Sequence, residues 1–197
     1  MIDGFAKEHL HGRLRRDREV LLWKLEGLSA YDTRRPLTAT GTNLLGLVKH
    51  VATVEARYFG EVFGRPSPEP LPRWQEADGS DLWAAEGETC EQVVGFYRRT
   101  WQHADATIDA LSLDAPGHVP WWPEPYDRTT LFAVLVHVLG DSNRHAGHAD
   151  ILREGLDGRT GLRPEHEQPI DEDARAAHRA MIERVARLAA PGPEPEK

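Results

Sequence analysis

The residues best suited to chemistry lie close together near position 141. Asp141 and His145 are four positions apart, and His148 follows three positions later. A spacing of four places two side chains on one face of a helix, so a carboxylate and an imidazole can reach the same ion. His137 precedes His145 by eight positions, about 12 Å along a helix axis, and cannot share that ion. The segment therefore predicts two neighbouring metal ligands.

The apolar pattern around these residues predicts that they face the protein interior. The stripe at helical spacing becomes polar as it runs through Leu131, Leu135, Val138, Asp141, His145, then His148 or Ala149, and Leu152. Burying a carboxylate costs several kcal/mol unless a cation, a hydrogen-bond network or water compensates. Asp141 on this face therefore indicates a cation or a polar network.

A third candidate ligand lies on another apolar segment. His50 sits between Leu47 and Val54 on the inward flank of a predicted helix. A lone histidine there is more often a satisfied core residue than a ligand. Together with Asp141 and His145, however, it completes a set of two imidazoles and a carboxylate with positions left open, which catalytic metals require. We expect zinc first, with nickel or iron as alternatives.

Five amphipathic helices must position these groups. Helical spacing of apolar residues covers about residues 10–28, 44–62, 88–111, 130–154 and 172–188, and no segment alternates as a strand would. Residues 32–36 predict a turn. Four long helices joined by loops of this length predict an all-α four-helix bundle, with the additional C-terminal helix outside it or across one end. We predict one domain over residues 1–190 and a disordered tail at 191–197.

Composition excludes several classes of protein. The 197 residues include 24 basic and 32 acidic side chains, a net charge of -8, and no basic cluster beyond 13–18, so nucleic-acid binding is not expected. The single cysteine, Cys90, rules out an internal disulfide and a cysteine zinc cage. No apolar run reaches the roughly 18 residues of a membrane span, and no secretory signal is legible. We expect a cytoplasmic protein without a membrane partner.

Two adjacent tryptophans precede the metal-bearing helix. Trp121 and Trp122 lie in the proline-rich segment 116–125, where they either cover the core or line a ligand pocket. The helix begins near Thr129, about 18 Å along its axis from Asp141, so contact with the metal centre requires the loop to fold back. We predict that both indoles bind cofactor beside the open metal positions.

Segments 44–55 and 137–154 resemble the DinB-like superfamily, in a branch near the mycothiol-dependent S-transferases and maleylpyruvate isomerase. The resemblance covers roughly residues 5–155. It implies a four-helix bundle whose divalent metal is held, by position, by His50, Asp141 and His145. Asp141 replaces the histidine of many relatives, as in the mycothiol-linked members. His148 stands where relatives often have glutamine, which makes it a pocket candidate.

The resemblance also implies a reaction between two small molecules. A low-molecular-weight thiol such as mycothiol would bind the metal, lose its proton more readily and attack an electrophile. His148 or His137 could accept the proton, and Arg144 or Arg153 could meet an anionic group. Two other functions stay open: a non-haem Fe(II) oxygenase, which uses the same ligand types, and a non-catalytic, stress-related metal-binding module.

A homodimer is the expected oligomeric state. The family resemblance favours it, and three tryptophans outside the predicted bundle stripes, Trp23, Trp74 and Trp83, suggest exposed apolar surface. Single exposed apolar residues are common, so these positions alone do not establish association.

Overall fold

The computed structural model describes residues 2–72, 79–166 and 171–189. These residues form six α-helices: α1 (Ile2–Trp23), α2 (Ala30–Arg34), α3 (Leu44–Phe59), α4 (Cys90–Ala110), α5 (Leu131–Asp157) and α6 (Glu172–Leu188). Single 3-10 turns cover Glu61–Phe63 and Pro164–His166. The predicted all-α fold is confirmed. None of the described helices is long and apolar enough to cross a bilayer.

Three small elements differ from the sequence-based expectation. The predicted turn at 32–36 overlaps the one-turn helix α2, whose N-cap Ser29 accepts a hydrogen bond from the Asp32 amide. Strands β1 (Pro116–His118) and β2 (Arg128–Thr130) pair antiparallel, with Pro116 opposite Thr130. Elements of three to five residues are too short to show a hydrophobic period, so the pattern could not reveal them.

The bundle consists of α1, α3, α4 and α5, with α3 packed against both α4 and α5. Almost every residue of α3 is buried. One core cluster contains Val54, Tyr58 and residues from the first half of α5, and a second contains Leu47, Val51 and the α5 residue Ala149. Because α3 runs beside α5, His50 can face the polar part of the α5 stripe.

Side-chain caps fix where the two site-bearing helices begin. The Asn43 carboxamide accepts a hydrogen bond from the Gly46 amide at the start of α3, and Thr130 caps α5 in the same way. Such caps satisfy amides that have no partner within the helix. At the other end of α5, Gly158 adopts a left-handed conformation with φ of 74°, which favours glycine and ends the helix.

The C-terminal helix α6 has the predicted range, and none of its residues is buried. Arg175 links it to the bundle by donating a hydrogen bond to the Gly158 carbonyl. Of the three tryptophans expected at the surface, Trp23 was wrongly assigned. It is 5% exposed because Lys24 and Arg159 lie over its ring. Trp83 is 49% exposed, whereas Trp74 and the tail at 191–197 lie outside the described residues.

Candidate metal centre

The three predicted ligands converge between α3 and α5. One ligand atom from each of His50, Asp141 and His145 lies within 4.8 Å of the other two. The imidazole centroids of His50 and His145 are 4.6 Å apart, and His145 Nε2 lies 3.4 Å from Asp141 Oδ1. The three side chains are between 14% and 26% exposed. Substrate could therefore reach a largely buried polar cluster.

Two buried atoms of this cluster lack partners. Within the described part of the chain, neither Asp141 Oδ2 nor His145 Nδ1 has a hydrogen-bond partner. Leaving a buried polar atom unpaired costs about 1–3 kcal/mol, and native proteins rarely do so without a reason. A bound cation would satisfy such groups. Two nitrogen donors and one carboxylate suit zinc, nickel or iron, so the residues present fit a divalent metal.

The carboxylate of the cluster is held in its charged form. Burial alone would raise the pKa of Asp141, but the hydrogen bond from His145 and the electrostatic attraction of His145 and His50 outweigh it. The pKa of Asp141 is therefore below its usual range. An ionised oxygen ligand at neutral pH is what a cation requires.

A fourth residue, Asp81, was missed by the sequence analysis. Its Oδ2 lies 2.7 Å from His50 Nδ1, and both side chains are mostly buried. If His50 donates its Nδ1 hydrogen to this carboxylate, Nε2 keeps its lone pair for a metal, an arrangement common among metal-binding histidines. Asp81 lies in an irregular loop, where spacing carries no signal about which helix it meets.

Helix α3 holds the loop that carries Asp81. A Cβ on Gly46 would lie 1.9 Å from the Leu82 carbonyl oxygen, so only glycine permits this close approach. One turn later, Lys49 donates a hydrogen bond to the Trp83 carbonyl at 3.1 Å. On the far side of the loop, Arg34 of α2 donates to the carbonyls of Ala84, Ala85 and Glu88. Backbone contacts thus fix the loop beside His50.

The tryptophan pair packs beside the polar face of α5. The Tyr58 hydroxyl accepts hydrogen bonds from Trp122 Nε1 at 3.0 Å and Trp121 Nε1 at 3.2 Å. Burial raises the pKa of Tyr58, which keeps this hydroxyl protonated. The His137 ring lies 5.0 Å from Trp122 and one helical turn before Asp141. Both indoles therefore pack against the core, and Trp122 adjoins the metal-bearing face through His137.

The remaining candidates occupy different environments. His148 is exposed, and its ring meets His145 edge-on at 5.4 Å. Arg144 is exposed on α5. Arg153 is 2% exposed and donates to the Lys24 and Glu26 carbonyls, and to the Asp157 carboxylate. Of the two arginines considered for an anionic group, Arg153 thus joins α5 to the segment after α1, whereas Arg144 faces solvent.

Comparison with known families connects this site to a group of enzymes. A family model described as mycothiol-S-transferase matches residues 9–158, well over half of the chain. The matched region runs from α1 to the C-cap of α5 and contains all three candidate ligands and Asp81. No curated protein matches the chain significantly. The chain therefore belongs to the mycothiol S-transferase family, in the DinB-like superfamily.

Proposed function

We propose that this chain is a divalent-metal-dependent enzyme that joins a low-molecular-weight thiol, such as mycothiol, to a small electrophile, or isomerises a substrate through that thiol. Family membership supports the thiol chemistry. The observation that carries the proposal is the convergence of His50, Asp141 and His145, two of which have buried atoms without partners among the described residues. Zinc remains the first choice, with nickel or iron as alternatives.

In this proposal His50, Asp141 and His145 hold the metal. When bound, a divalent cation with open positions supplies the Lewis acidity that lowers a thiol pKa, giving a thiolate at neutral pH. Asp81 orients His50. His148 is the candidate proton acceptor because its ring is exposed next to His145. Arg144, also exposed on α5, is the candidate partner for an anionic group.

We assign Trp121 and Trp122 to the thiol side of the centre. The Trp122 indole adjoins His137, which is one turn from Asp141 on α5, and Trp121 is the neighbour of Trp122 in the chain. Apolar rings beside a polar cluster form the mixed lining typical of small-molecule sites. Tyr58 supports this assignment, since its hydroxyl accepts a hydrogen bond from each indole and keeps the pair together.

Thiol-dependent turnover tests the proposal. The metal-loaded protein is incubated with mycothiol or bacillithiol and a generic electrophile, and the thioether is quantified by mass spectrometry. We expect product with the wild type and none with His145→Ala. Metal binding without turnover for any thiol would instead support a non-catalytic module. The donor set also suits an Fe(II) oxygenase, so oxygen consumption with ferrous iron would favour that candidate.

We also propose a homodimer, on the strength of the family resemblance. Sedimentation velocity over a range of concentrations measures the mass of the protein in solution. We expect twice the mass of one chain. A strictly monomeric mass at high concentration would contradict the dimer.

A further inference from the structure

A cavity of about 450 Å³ lies between residues 40–43, the start of α3 and the loop at 79–83. This volume is within the range of small-molecule pockets. Its large apolar walls are Leu47, Leu82 and Trp83, and threonine, asparagine and glycine residues complete the lining. Among the residues that the structure describes, no charged side chain lines it. The cavity therefore suits a neutral, largely apolar group.

Two walls of this cavity are apolar side chains that the fold leaves in contact with water. Leu82 is 46% exposed and Trp83 is 49% exposed. Their backbone is fixed, because the Leu82 carbonyl packs against Gly46 and the Trp83 carbonyl accepts a hydrogen bond from Lys49. A ligand would bury this apolar surface without first having to order the loop, which lowers the entropic cost of binding.

Two lining residues of the cavity are close in the chain to residues of the candidate metal centre. Leu47 precedes His50 by three positions, which places both on one face of α3, about 4.5 Å apart along its axis. Leu82 directly follows Asp81, whose carboxylate contacts His50. Tyr58, which holds the tryptophan pair, lies eight positions beyond His50 in the other direction. Along α3, the cavity residue Leu47 and the tryptophan partner Tyr58 thus lie on opposite sides of His50.

We propose that this cavity binds the neutral apolar part of the electrophilic substrate, an aromatic ring or a short aliphatic chain. The inference rests on the proposed function. It assigns the tryptophan pair to the thiol and this cavity to the electrophile. A larger cavity of about 640 Å³ beside α1 is lined by charged side chains, including Lys7, Glu8 and Arg16, and does not suit an apolar group. The polar sugar of a mycothiol-like thiol is likewise ill-suited to the smaller cavity.

A benzyl halide with a nitro-substituted ring is a suitable substrate probe. The thiolate sulfur forms a bond to the benzylic carbon, the carbon–halogen bond breaks, and the halide leaves with the electron pair. The thiol proton passes to His148, the candidate proton acceptor, and from there to solvent. Iodoacetamide reacts in the same way but carries no apolar group, so it reports the metal centre without the cavity. 4-Nitrotoluene carries the ring without a leaving group and reports binding alone.

The test compares Trp83→Ala with Phe132→Ala, which removes a ring that is 48% exposed on α5. We expect Trp83→Ala to weaken 4-nitrotoluene binding about tenfold, measured by equilibrium dialysis. The KM for 4-nitrobenzyl chloride should rise similarly, while iodoacetamide turnover and metal content stay unchanged. Phe132→Ala and Trp83→Phe should resemble the wild type.

Unchanged 4-nitrotoluene binding in Trp83→Ala, or an equal loss in Phe132→Ala, would overturn the inference. Failure of the proposed function gives a different result. In that case no thiol supports turnover with either electrophile, but dialysis with 4-nitrotoluene still measures the cavity.

Discussion

At the scale of single residues, the candidate centre depends on how His50 uses its two ring nitrogens. His50 Nδ1 lies 2.7 Å from Asp81 Oδ2, and this contact fixes the orientation of the imidazole ring. A histidine without this partner could rotate or protonate on either nitrogen and would present its lone pair to the metal less often. Asp81 is therefore a positioning residue for the site, although it is not a ligand.

We expect Asp81→Ala to weaken metal binding about 10- to 100-fold, as loss of a carboxylate behind a metal-binding histidine typically does. Competition with a chromogenic chelator measures the affinity. Asp114→Ala removes an exposed carboxylate from another loop and should leave the affinity unchanged. Equal affinities for the wild type and Asp81→Ala would show that His50 needs no such support.

The sequence identified some of these residues and not others for a physical reason. Asp141 and His145 belong to one helix, whose periodicity fixes their relative position, so their spacing was informative. The grouping with His50 rested on its inward position on another predicted helix, and the resemblance to a known family implied the same three ligands. Asp81 reaches His50 from an irregular loop across 31 positions, and no periodicity relates them.

At the scale of the elements, α3 does more than carry one ligand. Gly46 admits the Leu82 carbonyl, Lys49 binds the Trp83 carbonyl, and His50 meets Asp81, all within about one turn. The helix thereby orders a loop that has no regular structure over residues 79–88. The position of Asp81 should consequently be sensitive to changes on α3 that touch neither the metal nor its ligands.

Gly46→Ala tests this dependence. The added Cβ would overlap the Leu82 backbone, and we expect a loss of about 2–3 kcal/mol in the free energy of unfolding, together with weaker metal binding. Gly12→Ala, in α1, meets nothing within 4 Å and should instead stabilise the protein by about 0.5–1 kcal/mol. Urea titration measures both. A stabilising Gly46→Ala would contradict the close approach.

The long helices were predictable and the short elements were not. Residues 172–188 show a helical period over several turns, and the structure places α6 at Glu172–Leu188. The first helix ends at Trp23, before the predicted end, although Leu25 beyond it is still buried. Residues that follow the end of a helix can still be buried and therefore apolar. The apolar pattern then continues past the helix end, and the predicted helix is too long.

At the scale of the whole molecule, a buried ion network joins three helices of the bundle. Arg18 of α1 lies 2.7 Å from Glu55 of α3 and 2.6 Å from Asp105 of α4. His11 contacts the same Asp105 oxygen at 2.7 Å. Arg18 is 1% exposed and Glu55 is fully buried, so each charge depends on the others for compensation.

Asp105 makes this network sensitive to acid. Burial would raise its pKa, but contacts with His11 and Arg18 outweigh burial and hold the pKa far below the usual 3.8. A carboxylate with a depressed pKa contributes stability that is fully present above pH 3.8 and is lost as the pH falls below that value. The network should therefore stabilise the bundle at neutral pH, and this contribution to stability should be lost in strong acid.

We expect Asp105→Asn to reduce the free energy of unfolding by about 2 kcal/mol at pH 7, because it leaves buried Arg18 less compensated. The difference from the wild type should shrink at pH 3. Urea titrations at the two values measure it. Asp109→Asn, which removes a more exposed carboxylate from the same helix, should change stability by less than about 0.5 kcal/mol. A pH-independent effect of Asp105→Asn would contradict this account.

The central claim, that His50, Asp141 and His145 bind a divalent metal, is tested most directly by the metal content of the purified protein. The measurement is elemental analysis by mass spectrometry for the wild type, His145→Ala and His148→Ala. His148 is the matched control, because it contacts the His145 ring but lies outside the convergent set. We predict about one divalent ion per chain in the wild type and in His148→Ala, and none above background in His145→Ala. Full metal content in His145→Ala would contradict the site.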